Sequence, residues 1–443
     1  MSQSPVSKDH ALDVADRAIA AARRAGCAAA VAVNAGAGLS VTVRKGEVEV
    51  LEHHRDKSLA VTVYHGQRKG SASTSDFSPA AVDDTVAAAV AIANAAEPDA
   101  YAGLIDPSLL AHEYPDLHLD HPWDLSPEEA IRIALEAEAA ARTGNAEVQE
   151  VDESAVSRFQ GLRAYADSSG FRGAYNATRH GVSCTVVGAR DGAMQRGYWY
   201  SMARDARRLE SAASVGQRAT ERALAKLGAR KLSTRKAPVL LENRMATGFI
   251  GHLLSAISGA SLYRETSFLR GAVGTQVFPE FLTIQEQPHV AGSFGAAPFD
   301  AEGARTSNRT LVDAGVLGGY LLDSYAGRRL GLPSTGNAGG AHLLTVSDQG
   351  GDFAALLRQM DTGVLVTDLM GFGVNLVTGD YSRGASGFWV ERGEIQYPVE
   401  EITIAGNLRE MFRRLVASGC DRETRGSVHC GSLLLAEMTI AGD

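Results

Sequence analysis

Apolar positions in this chain keep two different periods, and the changes between them mark out its elements. Between residues 9 and 25, Leu12, Ala15, Ala18, Ile19 and Ala22 share one face at helical spacing and Gly26 stops the pattern, so an amphipathic helix is predicted. Three strand-like segments follow, Ala29–Asn34, Leu39–Leu51 with a Lys45-Gly46 turn inside it, and Ser58–Tyr64. In the second, Ser40, Thr42 and Arg44 alternate with Val41 and Val43, as a sheet with one wet face requires. Ser78-Pro79 opens a second helix, with Val82, Val86 and Val90 inward. The stretch from about 98 to 125 is irregular. Ser126-Pro127-Glu128-Glu129 then supplies a capping serine, a first-turn proline and a capping-box glutamate for a helix that Gly144 ends. Strands are expected at Glu147–Tyr165, Arg179–Gly188 and Met194–Ser201, and a helix at 208–227.

The basic, proline-terminated segment Ala229–Pro238 separates two textures, which predicts an N-terminal domain over 1–230 and a C-terminal one over 236–443. The second part is glycine-rich and broken into short strand-like pieces, with Arg392-Gly393 as a hairpin turn and helices at 245–257, 352–361 and 407–416. The fold class expected is α+β: an N-terminal helix and antiparallel-sheet domain, then a mainly β, barrel-like domain with packed helices.

Composition narrows the function. The 443 residues are 45% hydrophobic and 21% charged, an ordinary globular balance. A formal charge of −9 offers no general attraction to nucleic acid or to an anionic membrane. No apolar run approaches the roughly 20 residues of a membrane span, and the first ten residues lack an apolar signal core, so a cytoplasmic chain is expected. Cys27, Cys184, Cys420 and Cys430 are dispersed and are read as reduced thiols. His118, Asp120 and His121 fall in the irregular stretch and read as a solvated turn before a metal cluster.

Chemistry concentrates on one stretch, Met245–Ile257. Ile250, Leu253, Leu254 and Ile257 mark a buried helical face that carries one histidine, His252. A catalytic zinc takes about three protein ligands and a nearby carboxylate to accept the proton of its water. Thr247 and Gly248 supply neither. His429 beside Cys430 adds little, because adjacent strand residues point to opposite faces. A Cys430 nucleophile activated by His252 or His429 is the alternative chemistry. Asp380, Tyr381 and Arg383, in the glycine-bearing segment Thr378–Gly387, are candidates for lining a peptide path, and Trp389 and Tyr397 read as core or as interface.

Several ordered blocks make the chain recognisable: Tyr263–Leu269, Pro298–Arg305, Ser334–Gly340, Thr378–Gly384, Phe388–Val399 and Glu401–Asn407. With these the sequence resembles the TldD/PmbA family, and within it the PmbA (TldE) branch, over essentially its whole length. In the TldD branch the helix carries a His-Glu-x-x-x-His zinc motif completed by a C-terminal cysteine. Here Thr247 stands at the first histidine, Gly248 at the glutamate, His252 at the second histidine and Cys430 at the cysteine. The resemblance implies a chain without its own zinc, pairing with a TldD-type subunit that supplies metal and base in a heterodimeric metallopeptidase for small unfolded peptides. It also implies a degenerate site in this chain and leaves room for a homodimer when the partner is absent. Two other readings stand beside it: an independent peptidase or hydrolase using His252 and Cys430, and a regulatory binding protein of the gyrase-modulator type.

Overall fold

The computed structural model describes residues 6–142, 144–349 and 351–442. Its first half is one antiparallel sheet. Helix α1 (Lys8–Arg24) leads into the hairpin of β1 (Ala28–Arg44) and β2 (Glu47–His65), followed by β3 (Arg68–Thr74) and α2 (Pro79–Ala95). After a long loop come α3 (Pro127–Arg142), β4 (Val148–Asp167), β5 (Arg172–Arg190), β6 (Ala193–Ala203) and α4 (Ala212–Ala225). The strand order is β3-β2-β1-β4-β5-β6. Val31, Val33 and Ala35 of β1 pack with α1 and α2, while Leu39, Val41 and Val43 of the same strand pack with α3 and α4. One face of alternating apolar residues therefore seats four helices.

The three strand segments expected at 29–64 are two long strands, and the Lys45-Gly46 turn joins them. The helix expected at 208–227 is shorter, because Ser211 caps it through the Ser214 N–H at 3.2 Å. In the irregular stretch His118 is exposed, and Asp120 accepts hydrogen bonds from Gln160 Nε2 at 2.8 Å and Asn176 Nδ2 at 3.3 Å. Among the described residues no three His, Cys, Asp or Glu side chains gather as a metal site.

The second half begins with β7 (Arg235–Leu241) and α5 (Asn243–Ala256), then α6 (Gly259–Tyr263), β8 (Ile284–Glu286), β9 (Arg309–Asp313), β10 (Val316–Leu317), α7 (Ser324–Leu330) and β11 (Leu344–Val346). It continues through α8 (Phe353–Met360), β12 (Gly363–Met370), β13 (Asp380–Glu391), β14 (Glu394–Asn407), α9 (Leu408–Arg413), β15 (Leu415–Ser418), β16 (Val428–His429) and β17 (Leu433–Ala441). Strands β14-β13-β12-β7-β17 close into a barrel, because Thr403–Ala405 of β14 pair with Ala441–Thr439 of β17. A smaller sheet, β10-β9-β8-β11-β16, flanks it. Alternation along β7 sets the packing: Val239 and Leu241 face the core that holds α5, and Leu240 faces α8. The helix expected at 407–416 stops at Arg413 because Leu415–Ser418 pair with β17. The hairpin turn at Arg392-Gly393 is present, with Glu391 opposite Glu394. Trp389 is buried in the main core and donates to Glu391 at 2.8 Å, so core rather than interface describes it.

Candidate functional site around helix α5

Helix α5 is held between the two halves of the chain. Its N-cap, Glu242, makes no side-chain cap bond; its carboxylate instead receives both guanidinium nitrogens of Arg222 from α4, at 2.8 and 2.9 Å. Arg244 donates to the same carboxylate at 3.1 Å. A carboxylate at a helix N-terminus also meets the positive end of the helix dipole. None of these partners was singled out from the sequence. The only signal was an acidic residue closing the apolar run Val239–Leu241, and the pairing partner lies 20 residues upstream.

The inner face of α5 is Ala246, Phe249, Ile250, Leu253 and Ala256, all buried. Phe249 meets Phe412 edge to face at 5.0 Å. The outer stripe is Thr247, Gly248, Gly251, His252 and Ser255, half-buried or exposed. A Cβ built at Gly248 would meet nothing within 4 Å, so the position is open and the helix backbone is approachable there. The Thr247 hydroxyl donates to its own helix, to the Arg244 carbonyl at 2.8 Å. A cleft of about 530 Å³ continues from Leu254, Ser255 and Ser258 to Asn337 and Ala341.

His252 and the segment at 380 come together. The His252 ring lies 5.8 Å from that of Tyr381, tilted 73°. Burial lowers the His252 pKa and the Arg383 charge lowers it further, which keeps the imidazole neutral near pH 7. Tyr381 is buried and its phenol is pushed up to about 12 by burial. Asp380, Tyr381 and Arg383 begin strand β13. Residues two apart share a strand face, so Tyr381 and Arg383 point one way and Asp380 the other. Asp380 is exposed and closes the preceding turn, accepting from Thr378 Oγ1 at 2.6 Å and Asn407 Nδ2 at 3.3 Å.

Cys430 is fully buried and its thiol donates to the Gly431 carbonyl at 3.2 Å. Burial pushes its pKa far up, so the free thiolate that a nucleophile requires is disfavoured. His429 is half-buried and its Nε2 has no partner among the described residues. A zinc site does not fit this donor set: one hydroxyl is engaged with its own helix, one position has no side chain, and the thiol is enclosed in the core.

Burial lowers the pKa of His180, His252, His289 and His429 alike. A folded-state pKa below the unfolded value means the unfolded chain binds more protons, so stability is full above about pH 6.5 and declines as pH falls through and below it. The urea midpoint is therefore expected to drop between about pH 7 and pH 5, and a midpoint unchanged over that window would contradict these burials.

Comparison with known proteins agrees with this architecture. Three family models match in order: the PmbA/TldA metallopeptidase domain 1 over residues 29–93, the central domain over 120–227 and the C-terminal domain over 234–442. Metalloprotease PmbA of Escherichia coli O157:H7 is 48% identical over 414 residues, covering 94% of this chain and 92% of that protein. The Haemophilus influenzae PmbA homologue is 45% identical over 427 residues, 96% and 95% of the two chains. A Bacteroides thetaiotaomicron crystal structure, described as a candidate modulator of DNA gyrase, superposes with a TM-score of 0.92 at 27% identity over 97% of this chain and 98% of that one. TldE from Thermococcus kodakarensis shares the fold, with a TM-score of 0.82 at 20% identity over 94% and 97%. From the matched domains and the extent of identity, this chain belongs to the PmbA/TldD metallopeptidase family, with its high-identity relatives on the PmbA side.

Proposed function

We propose that this chain is the PmbA/TldE-type subunit of a two-subunit metallopeptidase, in which a TldD-type chain supplies the zinc and the general base. The observation that carries the reading is the outer stripe of α5, where Thr247 and Gly248 stand in place of a ligand and a base while Cys430 is sealed in the core. The same stripe suits a different task. Open space over Gly248 and Gly251 lets an extended peptide lie close to the helix. Arg383 offers a cation to a peptide carboxylate, and the half-buried, neutral His252 lies near it, backed by the buried Tyr381 ring. The chain would thus complete a chamber and hold unfolded peptide while the partner cuts.

The independent-hydrolase reading is weakened by the enclosed Cys430 thiol. The gyrase description belongs to the Bacteroides relative, and a chain of net charge −9 lacks a general electrostatic draw to DNA. The experiment is cleavage of an unstructured peptide by the purified chain, alone and mixed with a TldD-type subunit. No cleavage alone and metal-dependent cleavage in the mixture is expected. Cleavage by the metal-stripped chain on its own would contradict the proposal.

A further inference from the structure

The face of the N-terminal sheet turned away from its four helices is covered at one end. There Phe299, Ile105 and Leu110 pack with Ala30 and Ala32 of β1 and Tyr165 of β4. Beyond that cover, strand register sets the side chains in rows. Asn34, Arg163 and Tyr175 form one row across β1, β4 and β5. Gly36, Gly161 and Ala177 form the next, and Gly38 and Phe159 belong to the third.

The middle row has almost no side chain, and Phe159 uses the space. Its ring lies across the glycines: a Cβ would come within 2.6 Å of it at Gly36, 3.0 Å at Gly161 and 3.4 Å at Gly38. A ring laid on bare backbone keeps its outer face open, and Phe159 is 37% exposed. Phe159, Arg163 and Tyr175 border a cavity of about 410 Å³. Arg163 is half-buried there, yet its guanidinium has no hydrogen-bond or ion partner among the described residues. Lys57 also borders the cavity, but its ammonium is engaged over the Phe77 ring, 4.8 Å from the centroid. Asp56, opposite Gly36 on β2, puts a negative charge at the other end. An open aromatic face beside an unpaired guanidinium fits a flat apolar group with a carboxylate close to it, and Asp56 turns that carboxylate toward Arg163.

We propose that this pocket binds an aromatic side chain whose residue carries a free carboxylate, with the ring stacked on Phe159 and the carboxylate paired with Arg163. The C-terminal residue of a peptide and a single N-acylated amino acid share this chemistry. The peptide source rests on the proposed peptidase role. Binding is read on this chain without partner or cleavage, so the pocket and that role fail separately.

The test is isothermal titration of the full chain, alone, with acetyl-Ala-Ala-Phe, its C-terminal amide, acetyl-Ala-Ala-Ala and acetyl-Phe. The first is expected to bind, and the amide and the alanine peptide at least about tenfold more weakly. Acetyl-Phe binding as well as the tripeptide would identify a small aromatic acid as the source, and tighter binding of the tripeptide a peptide end. Arg163→Gln should weaken the acid at least about tenfold and leave the amide unchanged. Phe159→Ala should weaken the acid by a similar factor, and Phe159→Tyr should retain it. Circular dichroism of the variants should match wild type, because neither side chain belongs to a buried core. No binding of either acid at about 10 mM, equal binding of acid and amide, or an Arg163→Gln chain that binds like wild type would overturn the proposal.

Discussion

Phe412→Ala should remove about 3–5 kcal/mol from the unfolding free energy of the barrel half, the range for deleting a fully buried phenylalanine. Phe412 sits where three elements meet. Its ring centroid is 4.7 Å from Phe278, 5.0 Å from Phe249 and 6.0 Å from Phe268, and the residue is 1% exposed. Truncation leaves a cavity against the inner face of α5, and the surrounding rings belong to different parts of the chain, so they cannot all close in at once. The measurement is a guanidinium unfolding curve, read as a fall in midpoint with little change in slope. Phe372 is the control. It is fully exposed on the loop between β12 and β13, and Phe372→Ala is expected to stay within about 0.5 kcal/mol of wild type. Equal effects for the two would contradict the packing described for α5.

Arg383→Glu carries the second large effect, on function. If Arg383 meets peptide charge beside His252, reversing its sign should lower kcat/KM of the assembled peptidase tenfold or more, about 1.4 kcal/mol, mainly through KM. A second readout does not depend on substrate. The Arg383 charge contributes to lowering the His252 pKa, so the variant should titrate at higher pH than wild type by NMR of the His252 ring. An unchanged titration would separate the two residues, and an unchanged KM would remove Arg383 from the peptide path.

What the sequence revealed was mostly local. The helix at 126–144 was legible because its start is written in four adjacent residues, and Ser126 does cap it, accepting from the Glu129 N–H at 3.1 Å. The 392–393 turn was legible for the same reason. The long β1 was not, because Gly36 and Gly38 in mid-strand read as a break. In the folded sheet Phe159 lies over that spot, and a Cβ at Gly36 would come within 2.6 Å of its ring, so the glycine makes room instead of ending the strand. Barrel closure joins residue 403 to residue 441, a pairing no local pattern encodes. The candidate site divides similarly. His252 was legible from the single helix that carries it. Its proximity to Tyr381, 129 positions away, and the turning of Asp380 to the opposite strand face depend on the register of β13, which only the assembled sheet fixes.

The central claim is that this chain contributes shape and binding to a metallopeptidase whose metal lies in another subunit. It is tested most directly by elemental analysis of the purified chain, with and without Cys430→Ala. The account predicts zinc far below one per chain and no change on substitution, since Thr247 and Gly248 supply no ligand and the Cys430 thiol is enclosed in the core. About one zinc per chain, lost in Cys430→Ala, would show that His252 and Cys430 recruit further ligands, and the chain would have to be regarded as a catalytic subunit in its own right.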